Sequence, residues 1–308
     1  MVRLCVCAMT CSCAKKGIVC VCEPLCAEHF FLDIESRVLN TIKTHRLITR
    51  KDNVLVAVSG GKDSMVLIHI LAKHFKDQIF ALIIDEGIMG YRDCSIEGFL
   101  KLAPELGIPY EIVHARDQMG VTSDELAKHI SGSNCQACGV VRRYVLNTYA
   151  RTHGFSKVAT GHNRDDEAQS ALMNLVMGDV SRQARAGYTT GRVAHKHFVE
   201  RIKPLRDVSE RETARFVMQK KWPVHPCACP YSVGAFRKFV QQALDTYESH
   251  ESRAKQNLLE SFDTLSARLK TFPSAQKPLH ECTTCGEPTS DVVCKACKIL
   301  LKIAKRTK

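Results

Sequence analysis

The stretch Ser59-Gly60-Gly61-Lys62-Asp63-Ser64 directly follows the apolar run Val54-Leu55-Val56-Ala57-Val58. The apolar run predicts a buried strand, and the apolar periodicity after the glycines predicts a helix. Glycines let a phosphate approach the backbone closely, and the N–H groups at a helix start favour negative charge. Because Asp63 follows Lys62 where a Walker A loop has Ser or Thr, this is a different kind of loop. We therefore predict a phosphate-binding site between this strand and the next helix.

The surrounding sequence alternates predicted strands and helices. Such alternation is typical of a parallel sheet covered on both faces, with ligands at the carboxyl ends of the strands. We therefore expect an α/β fold built on a Rossmann-like parallel sheet. The predicted strands cover residues 54–58, 79–84, 110–113 and 157–160. The predicted helices cover residues 30–48, 63–75, 93–106, 124–130, 140–153, 165–177, 208–221 and 236–269.

The chain has 308 residues and a formal net charge of +12 at neutral pH. Between residues 182 and 206, seven Lys or Arg residues are accompanied by a single acid, Glu200. This excess predicts a polyanionic partner such as a nucleic acid. The sequence has no run near the roughly 20 apolar residues of a membrane span, and its N-terminus has no signal-peptide core. We expect a cytoplasmic protein without a membrane partner.

All of the sixteen cysteines except Cys94 occur in clusters, which in a cytoplasmic protein predicts metal sites rather than disulfides. The clearest cluster is Cys282-x2-Cys285-x8-Cys294-x2-Cys297. Two C-x2-C pairs supply four thiolates, which predicts a closed structural zinc site.

The N-terminus carries a second candidate zinc site. Cys26-x2-His29 forms one half, and the upstream cysteines lie in C-x-C pairs, of which Cys11 and Cys13 are the candidate partners. The expected organisation is therefore an N-terminal zinc-binding module at residues 1–30, a catalytic domain at 31–250, a helix and linker at 251–279, and a C-terminal zinc ribbon with a basic tail at 280–308.

A third cysteine group, Cys135-x2-Cys138, opens a predicted helix just ahead of Arg142. The helix dipole and nearby guanidinium groups predict a lowered thiol pKa. Cys227 and Cys229 are candidates to complete this group. Three thiolates hold a [4Fe-4S] cluster with one iron left open, while a redox-active or persulfide-carrying dithiol is the alternative. The spacing leaves both interpretations open.

Polar residues also follow the fourth predicted strand, in the segment Gly161-His162-Asn163-Arg164-Asp165-Asp166. A glycine at a strand end lets a nucleotide approach closely. The acids either cap the following helix or take part in Mg²⁺-ATP binding or acid–base chemistry, and their position at the ligand-binding edge favours the second role.

Taken together, these segments resemble the TtuA family of tRNA 2-thiolation enzymes, which are PP-loop ATPases with the adenine nucleotide alpha hydrolase-like fold. The resemblance runs nearly end to end and includes SGGKDS, CQACGVVRR, TGHNRDDEA and the terminal cysteine groups. The segment DEGIMGYRD at residues 85–93 looks most like the branch that modifies the wobble uridine.

The resemblance implies ATP-dependent sulfur transfer to tRNA. The uridine C2 carbonyl oxygen attacks the α-phosphate of ATP, pyrophosphate leaves, and a sulfur nucleophile then displaces AMP. Lys62 and Mg²⁺ would neutralise the phosphates, and Asp166 matches the family's catalytic aspartate. The residues implied to contact ATP are Ala57, Ser59, Gly60, Gly61, Lys62, Asp63, Ser64, Ile84, Arg142 and Gly161.

The family's [4Fe-4S] ligands map to Cys135, Cys138 and Cys229, so the resemblance favours a cluster over a dithiol. These cysteines are counted with the catalytic residues. Where the family has Glu-Glu before the third ligand, this chain has Cys227-Ala228. Cys227 is therefore an alternative third ligand, a fourth ligand or a persulfide carrier. With the terminal modules, the expected cofactors are ATP, Mg²⁺, one [4Fe-4S] cluster and two Zn²⁺ ions.

The expected partners are tRNA, a sulfur donor such as sulfide or a ubiquitin-like thiocarboxylate protein, and a second subunit in a homodimer or heterodimer. Two alternatives compete with 2-thiouridine synthesis. One is a TtcA-like cytidine 2-thiolation enzyme, which the terminal zinc modules disfavour. The other is a non-catalytic zinc-ribbon RNA-binding subunit, which would not need an intact SGGKDS loop.

Overall fold

The computed structural model describes residues 25–129, 134–190, 195–224, 229–232, 235–269 and 279–304. Its centre is a six-stranded sheet with the order β3-β2-β1-β4-β6-β5. The strands are parallel except β5, which pairs antiparallel with β6 at the edge. In chain order the main strands are β1 (Val54–Val58), β2 (Ile79–Asp85), β3 (Tyr110–His114), β4 (Lys157–Thr160), β5 (Thr189–Thr190) and β6 (Glu200–Ile202).

Helices cover both faces of this sheet. One apolar core lies under α1, α2, α3 and α9, and a second lies under α4, α5, α6 and α12. The helices are α1 (Ala27–Thr44), α2 (Lys62–Phe75), α3 (Arg92–Leu106), α4 (Ala115–Met119), α5 (Ser123–His129), α6 (Asn134–Thr152), α7 (Arg164–Val176), α8 (Val180–Ala184), α9 (Glu210–Lys220), α10 (Phe236–His250), α11 (Ala254–Leu269) and α12 (Lys295–Ala304).

The order of the strands fixes where a ligand can bind. β1 is the central strand and pairs in parallel with β2 on one side and β4 on the other. The order in which the strands are added to the sheet therefore reverses at β1. Its segment Val54–Val58 is buried, apart from the half-buried Ala57, because helices cover both faces, which explains the continuous apolar run. The crevice at such a switch point lies at the carboxyl ends of the strands. Here those ends are followed by Ser59, Glu86 and Gly161.

The predicted α/β fold and its four main strands are confirmed, but the single helix predicted over residues 236–269 is wrong. Glu251 has an extended backbone at the end of α10, and the chain turns before α11. The turn lets both helices pack against α7, where Leu244 and Phe262 join a third small apolar core. A continuous helix would have carried one of these apolar faces away from α7.

The basic segment after α8 contains β5 and β6, which the sequence pattern did not reveal, since both strands are very short. At the C-terminus, β7 (His280–Glu281) and β8 (Pro288–Thr289) form a separate two-stranded sheet. In the described ranges, none of the helices has the length and apolar character of a membrane-spanning segment. The predicted N-terminal zinc module, including Cys11 and Cys13, lies almost wholly outside the described residues.

Candidate active site at the carboxyl ends of the parallel strands

The loop between β1 and α2 folds tightly around its own polar groups. The Ser64 hydroxyl accepts a hydrogen bond from the Ser59 N–H (3.1 Å) and donates one to the Gly61 carbonyl (2.9 Å). Gly60 has φ +75°, and a Cβ there would lie 2.2 Å from the Ser95 carbonyl oxygen. Gly60 therefore needs both its left-handed backbone and its missing side chain, whereas Gly61 faces only the Ser59 hydroxyl, 3.4 Å away.

Lys62 and Asp63 begin α2 inside a network of charges. Lys62 Nζ lies 3.1 Å from Asp63 and 2.9 Å from Glu210. Burial lowers the pKa of Lys62, but the two carboxylates outweigh it and the net pKa is raised. Asp63 also accepts hydrogen bonds from the Asn163 amide (2.9 Å) and the Thr213 hydroxyl (2.5 Å). The ammonium group thus sits at the phosphate loop, charged and held by acids.

Gly161 brings the end of β4 against this loop. A Cβ on Gly161 would lie 2.9 Å from the Ser64 nitrogen and 3.1 Å from the Asp63 carbonyl carbon. Any side chain here would push the start of α2 away from β4. The floor of the site is formed by the ends of β1 and β2, where Ala57 is half-buried and Ile84 is buried.

Asp166 lies in the first turn of α7, where its backbone N–H donates to the Asn163 side chain (2.9 Å) in a capping box. Asp166 therefore caps the helix, as one interpretation of the sequence predicts. It also faces the charged site, where the other interpretation, Mg²⁺-ATP binding or acid–base chemistry, predicts it. Burial raises the pKa of Asp166 to about 6, Arg237 at 3.3 Å opposes that rise, and Asp63 adds to it. A carboxyl group with this pKa can hold or release a proton near neutral pH.

A buried network that the sequence analysis missed joins β2 to the phosphate loop. Arg92 is 3% exposed, donates to the carbonyls of Ile84 and Ser59, and lies 2.7 Å from Glu86. Glu86, also buried, reaches Arg142 on α6 at 2.7 Å. One carboxylate therefore joins two arginines across the top of the sheet. Both Glu86 and Arg92 lie in DEGIMGYRD. An acidic and a basic residue soon after a predicted strand were the features of the sequence that could have indicated this buried ion pair.

The cysteine group lies at the far end of this network. Arg142 Nη2 lies 3.8 Å from Cys138 Sγ, and the Cys135 thiol donates to the Tyr231 carbonyl oxygen (2.8 Å). Cys229 is near enough that its charge raises the pKa of Cys135. The structure therefore brings Cys135, Cys138 and Cys229 together beside Arg142, as the predicted ligand set requires.

The prediction of a lowered thiol pKa is wrong for Cys135 in the protein without metal. Burial raises its pKa, the charges of Cys229 and Cys138 add to the rise, and Arg142 only partly opposes it. Burial likewise raises the pKa of Cys229. Cys227, the alternative ligand, lies outside the described residues.

The three thiols suit a cluster better than a single metal ion. Among the described residues, groups whose ligand atoms all lie within 4.8 Å of one another are the four C-terminal cysteines and Asp165-Asp245-Glu248. The three thiols at Arg142 are not such a group. One zinc ion draws its ligands that close, whereas a [4Fe-4S] cluster binds each thiolate through a different iron. Lys255 Nζ occupies the acidic group, 2.5 Å from Asp165.

Arg142 and His162 both lie near the carboxyl ends of the strands and reach solvent. The Arg142 side chain is 47% exposed, and His162 is exposed. Burial lowers the pKa of His162 to about 4, and the nearby Glu86 carboxylate raises the pKa of Arg142. Both side chains therefore lie beside the charged groups of the site and within reach of solvent.

The C-terminal cysteines form a compact four-thiol group. Cys285 Sγ and Cys294 Sγ lie 3.7 Å apart, close to the ~3.8 Å between thiolates on a tetrahedral zinc ion. Burial raises the pKa of Cys282, but N–H groups of Cys294 and Thr284 outweigh it and lower the pKa to about 6. The donor set fits a structural Zn²⁺, with Cys297 as its fourth ligand.

At the other end, Cys26 is the N-cap of α1 and its carbonyl accepts the Phe30 N–H (2.9 Å). His29 lies in the first turn of the same helix. The structure thus describes one half of the predicted N-terminal site, and its assignment as a zinc site stays a prediction.

Comparison with known proteins agrees with this geometry. A family model described as a PP-loop domain matches residues 32–225. The tRNA 2-thiolation protein NcsA of Haloferax volcanii is 35% identical over 298 residues, covering 91% of this chain and 93% of the relative. This chain belongs to the tRNA 2-thiolation protein family.

Other members of the tRNA 2-thiolation family extend the likeness. The cytoplasmic tRNA 2-thiolation protein 1 of Chlamydomonas reinhardtii is 35% identical over 285 residues, covering 90% of this chain and 79% of the relative. The solved structure of a U34-tRNA thiolase NcsA from Methanococcus maripaludis, with its [4Fe-4S] cluster, matches with a TM-score of 0.80 and 31% identity. That match covers 94% of this chain and 95% of the archaeal one.

Proposed function

We propose that this chain synthesises 2-thiouridine at the wobble position of cytoplasmic tRNA, using ATP. The observation that carries the proposal is the network Ser59–Arg92–Glu86–Arg142–Cys138, which joins a phosphate loop to a cysteine group at one end of the sheet. ATP activation and sulfur transfer need such neighbouring sites. Named tRNA 2-thiolation relatives, one called cytoplasmic and one called a U34-tRNA thiolase, support the substrate, its position and the compartment.

In the first step, the C2 carbonyl oxygen of uridine attacks the α-phosphate of ATP, and pyrophosphate leaves. The Gly60–Gly61 backbone and the Ser59 hydroxyl would hold the phosphates, and Lys62 would neutralise the leaving group. Asp63 and Glu210 hold Lys62 in place and are candidate Mg²⁺ partners when the nucleotide enters. Mg²⁺ suits such carboxylates together with substrate phosphates.

In the second step, sulfur attacks the activated C2 carbon and AMP leaves with the former carbonyl oxygen. When bound, a [4Fe-4S] cluster would present sulfur at an iron without a protein ligand. Cys135, Cys138 and Cys229 would hold it, and Arg142 offsets their negative charge. Asp166, with its pKa near 6, would accept the proton that hydrogen sulfide loses. Sulfide or a thiocarboxylate on a ubiquitin-like protein would supply the sulfur, and a second subunit is expected.

The test is reconstitution of the full chain without oxygen in the presence of iron and sulfide. We expect it to form 2-thiouridine in unmodified tRNA when ATP and Mg²⁺ are present, measured by mass spectrometry of nucleosides. A folded, cluster-loaded chain that forms none would overturn the proposal. Formation of 2-thiocytidine instead would favour the cytidine enzyme.

The ligand assignment has its own test in Cys229→Ser. We expect this variant to lose the visible absorbance of the cluster, because one of three thiolates is gone. Cys94→Ser is the matched control, since Cys94 lies half-buried on α3 and we expect it to keep the absorbance. If Cys229→Ser also keeps the absorbance, Cys227 becomes the third ligand.

A further inference from the structure

Three arginines from separate elements lie near one another and near the cysteine group. They are Arg143 on α6, Arg182 on α8 and Arg201 on β6, together called the arginine cluster below. The Arg201 guanidinium donates to the Arg143 carbonyl oxygen (3.4 Å). The Arg143 guanidinium folds back over Gly139, where an added Cβ would lie 3.6 Å from Nη1. Gly139 directly follows Cys138, so the cluster begins where the thiols end.

The cluster carries more positive charge than its surroundings neutralise. Within the described ranges, Arg143 and Arg201 make no ion pair with a carboxylate. Arg182 is paired with Asp179 (3.1 Å), and Glu287 acts on Arg201 from a distance while bound to Arg151. Burial and then the charge of Arg143 lower the pKa of Arg201 to about 10. Burial lowers the pKa of Arg143, as do the charges of Arg142 and Arg182.

The arrangement suits a chain of anions rather than one anion. A single nucleotide phosphate is already provided for at the glycine loop. Guanidinium groups from three elements offer several separate sets of donors, which suits more than one phosphate. Arg201 also lies over the Phe198 ring (5.5 Å to its centroid), as in RNA-binding surfaces that mix arginine with aromatics. The groups repel each other until an anion enters, so binding relieves that repulsion.

We propose that the arginine cluster binds the phosphodiester backbone of the RNA strand that carries the target base to the cysteine group. This rests on the proposed function for the identity of the RNA. The cluster would hold the strand beside Cys138 and Arg142. It would therefore decide which nucleotide reaches the α-phosphate of ATP. Each guanidinium supplies a fixed fork of donors that matches a phosphate.

The test is binding of the full chain to an unmodified tRNA, measured by fluorescence anisotropy at several NaCl concentrations. Each lost phosphate contact lowers the slope of log affinity against log salt by about 0.7 for a single strand. We expect Arg143→Gln and Arg201→Gln each to weaken binding several-fold and to lower the slope by that amount. Arg143→Lys keeps the charge and should keep most of the slope.

Arg50→Gln is the matched control, because Arg50 is exposed and lies just before β1, near the amino ends of the parallel strands. We expect it to keep both affinity and slope. If Arg143→Gln and Arg201→Gln bind tRNA with the wild-type slope, the cluster is not a phosphate site. That result leaves the proposed function intact. A wild-type chain that makes no 2-thiouridine would overturn the proposed function, and the salt slopes of the variants would still show whether the arginine cluster binds phosphate.

Discussion

Asp166 links the chemistry of the site to the stability of the fold. Its pKa is about 6 in the folded chain against an ordinary value of 3.8, chiefly because of burial. Between these two pH values the unfolded chain has released the proton and the folded chain still holds it. Stability therefore falls as pH rises through this window, and the penalty is complete above about pH 6.

Asp166→Asn should remove this penalty. We expect the difference in melting temperature between variant and wild type to be more favourable to the variant at neutral pH than near pH 4, measured without nucleotide or metal. Asp117→Asn, at an exposed position on α4, is the control and should show no such change. Equal differences at both pH values would contradict the assignment of a raised pKa. Thiolation by Asp166→Asn should be strongly reduced.

Gly161→Ala tests the close approach of β4 to the phosphate loop. The new Cβ would lie 2.9 Å from the Ser64 nitrogen, which is backbone and cannot rotate away. We expect ATP affinity, measured by calorimetry, to fall by about tenfold or more because the loop is displaced. Gly61→Ala is the comparison for stability, since its Cβ meets only a hydroxyl at 3.4 Å and should leave the melting temperature unchanged. Wild-type ATP affinity in Gly161→Ala would show that the loop absorbs the contact.

At the scale of elements, Lys255 joins three helices through its buried ammonium group. Its Nζ lies 2.5 Å from Asp165 on α7 and 2.6 and 3.0 Å from Asp245 and Glu248 on α10. Lys255 itself is 2% exposed. Because these contacts tie α11 to both other helices, they help fix the turn that breaks residues 236–269 into two helices.

Lys255→Met should therefore be strongly destabilising, by about 3–5 kcal/mol, since it leaves buried carboxylates without a cation. Denaturant unfolding measures the loss. Lys101→Met is the control, because Lys101 forms an exposed pair with Glu97 on α3 and should cost under about 1 kcal/mol. Similar losses in the two variants would contradict the role given to Lys255.

Features of the fold and the site that depend on local sequence could be predicted, whereas those that depend on tertiary packing could not. Strand β1, its loop and the start of α2 follow from local apolar pattern and glycine chemistry, so the sequence alone predicts them. The partners of Lys62 and Asp166 do not, because Glu210 and Arg237 lie 148 and 71 residues away and only tertiary packing brings them close. The same holds for the turn at Glu251, which helical periodicity hides.

On the scale of the whole molecule, the C-terminal module of residues 279–304, called the ribbon below because a zinc ribbon is predicted there, is attached to the PP-loop domain through Glu287. Its carboxylate accepts hydrogen bonds from Asn147 (2.7 Å), Thr148 (3.1 Å) and Arg151 (2.8 Å), all on α6. The ribbon cysteines also share an apolar core with α6. The ribbon is thus packed on the domain rather than tethered beside it.

Cys285→Ser should disturb both the ribbon and helix α6. We expect it to lose one equivalent of zinc by metal analysis and to show faster amide hydrogen exchange at residues 279–304 and along residues 144–151, because the ribbon fold depends on its metal. Cys94→Ser should leave both measurements unchanged. Faster exchange in the ribbon alone would show that α6 holds its structure without it.

Helix α6 connects the two ends of this arrangement. Its first turns carry Cys135 and Cys138, and its last turns carry the partners of Glu287. Over 19 residues such a helix is about 28 Å long, and each residue adds a rotation of about 100°. Inserting one alanine in its middle would turn Cys135 and Cys138 away from Arg92 and Glu86 unless the ribbon gave up its contacts. The number of residues on α6 between Cys138 and the partners of Glu287 is therefore itself under structural constraint.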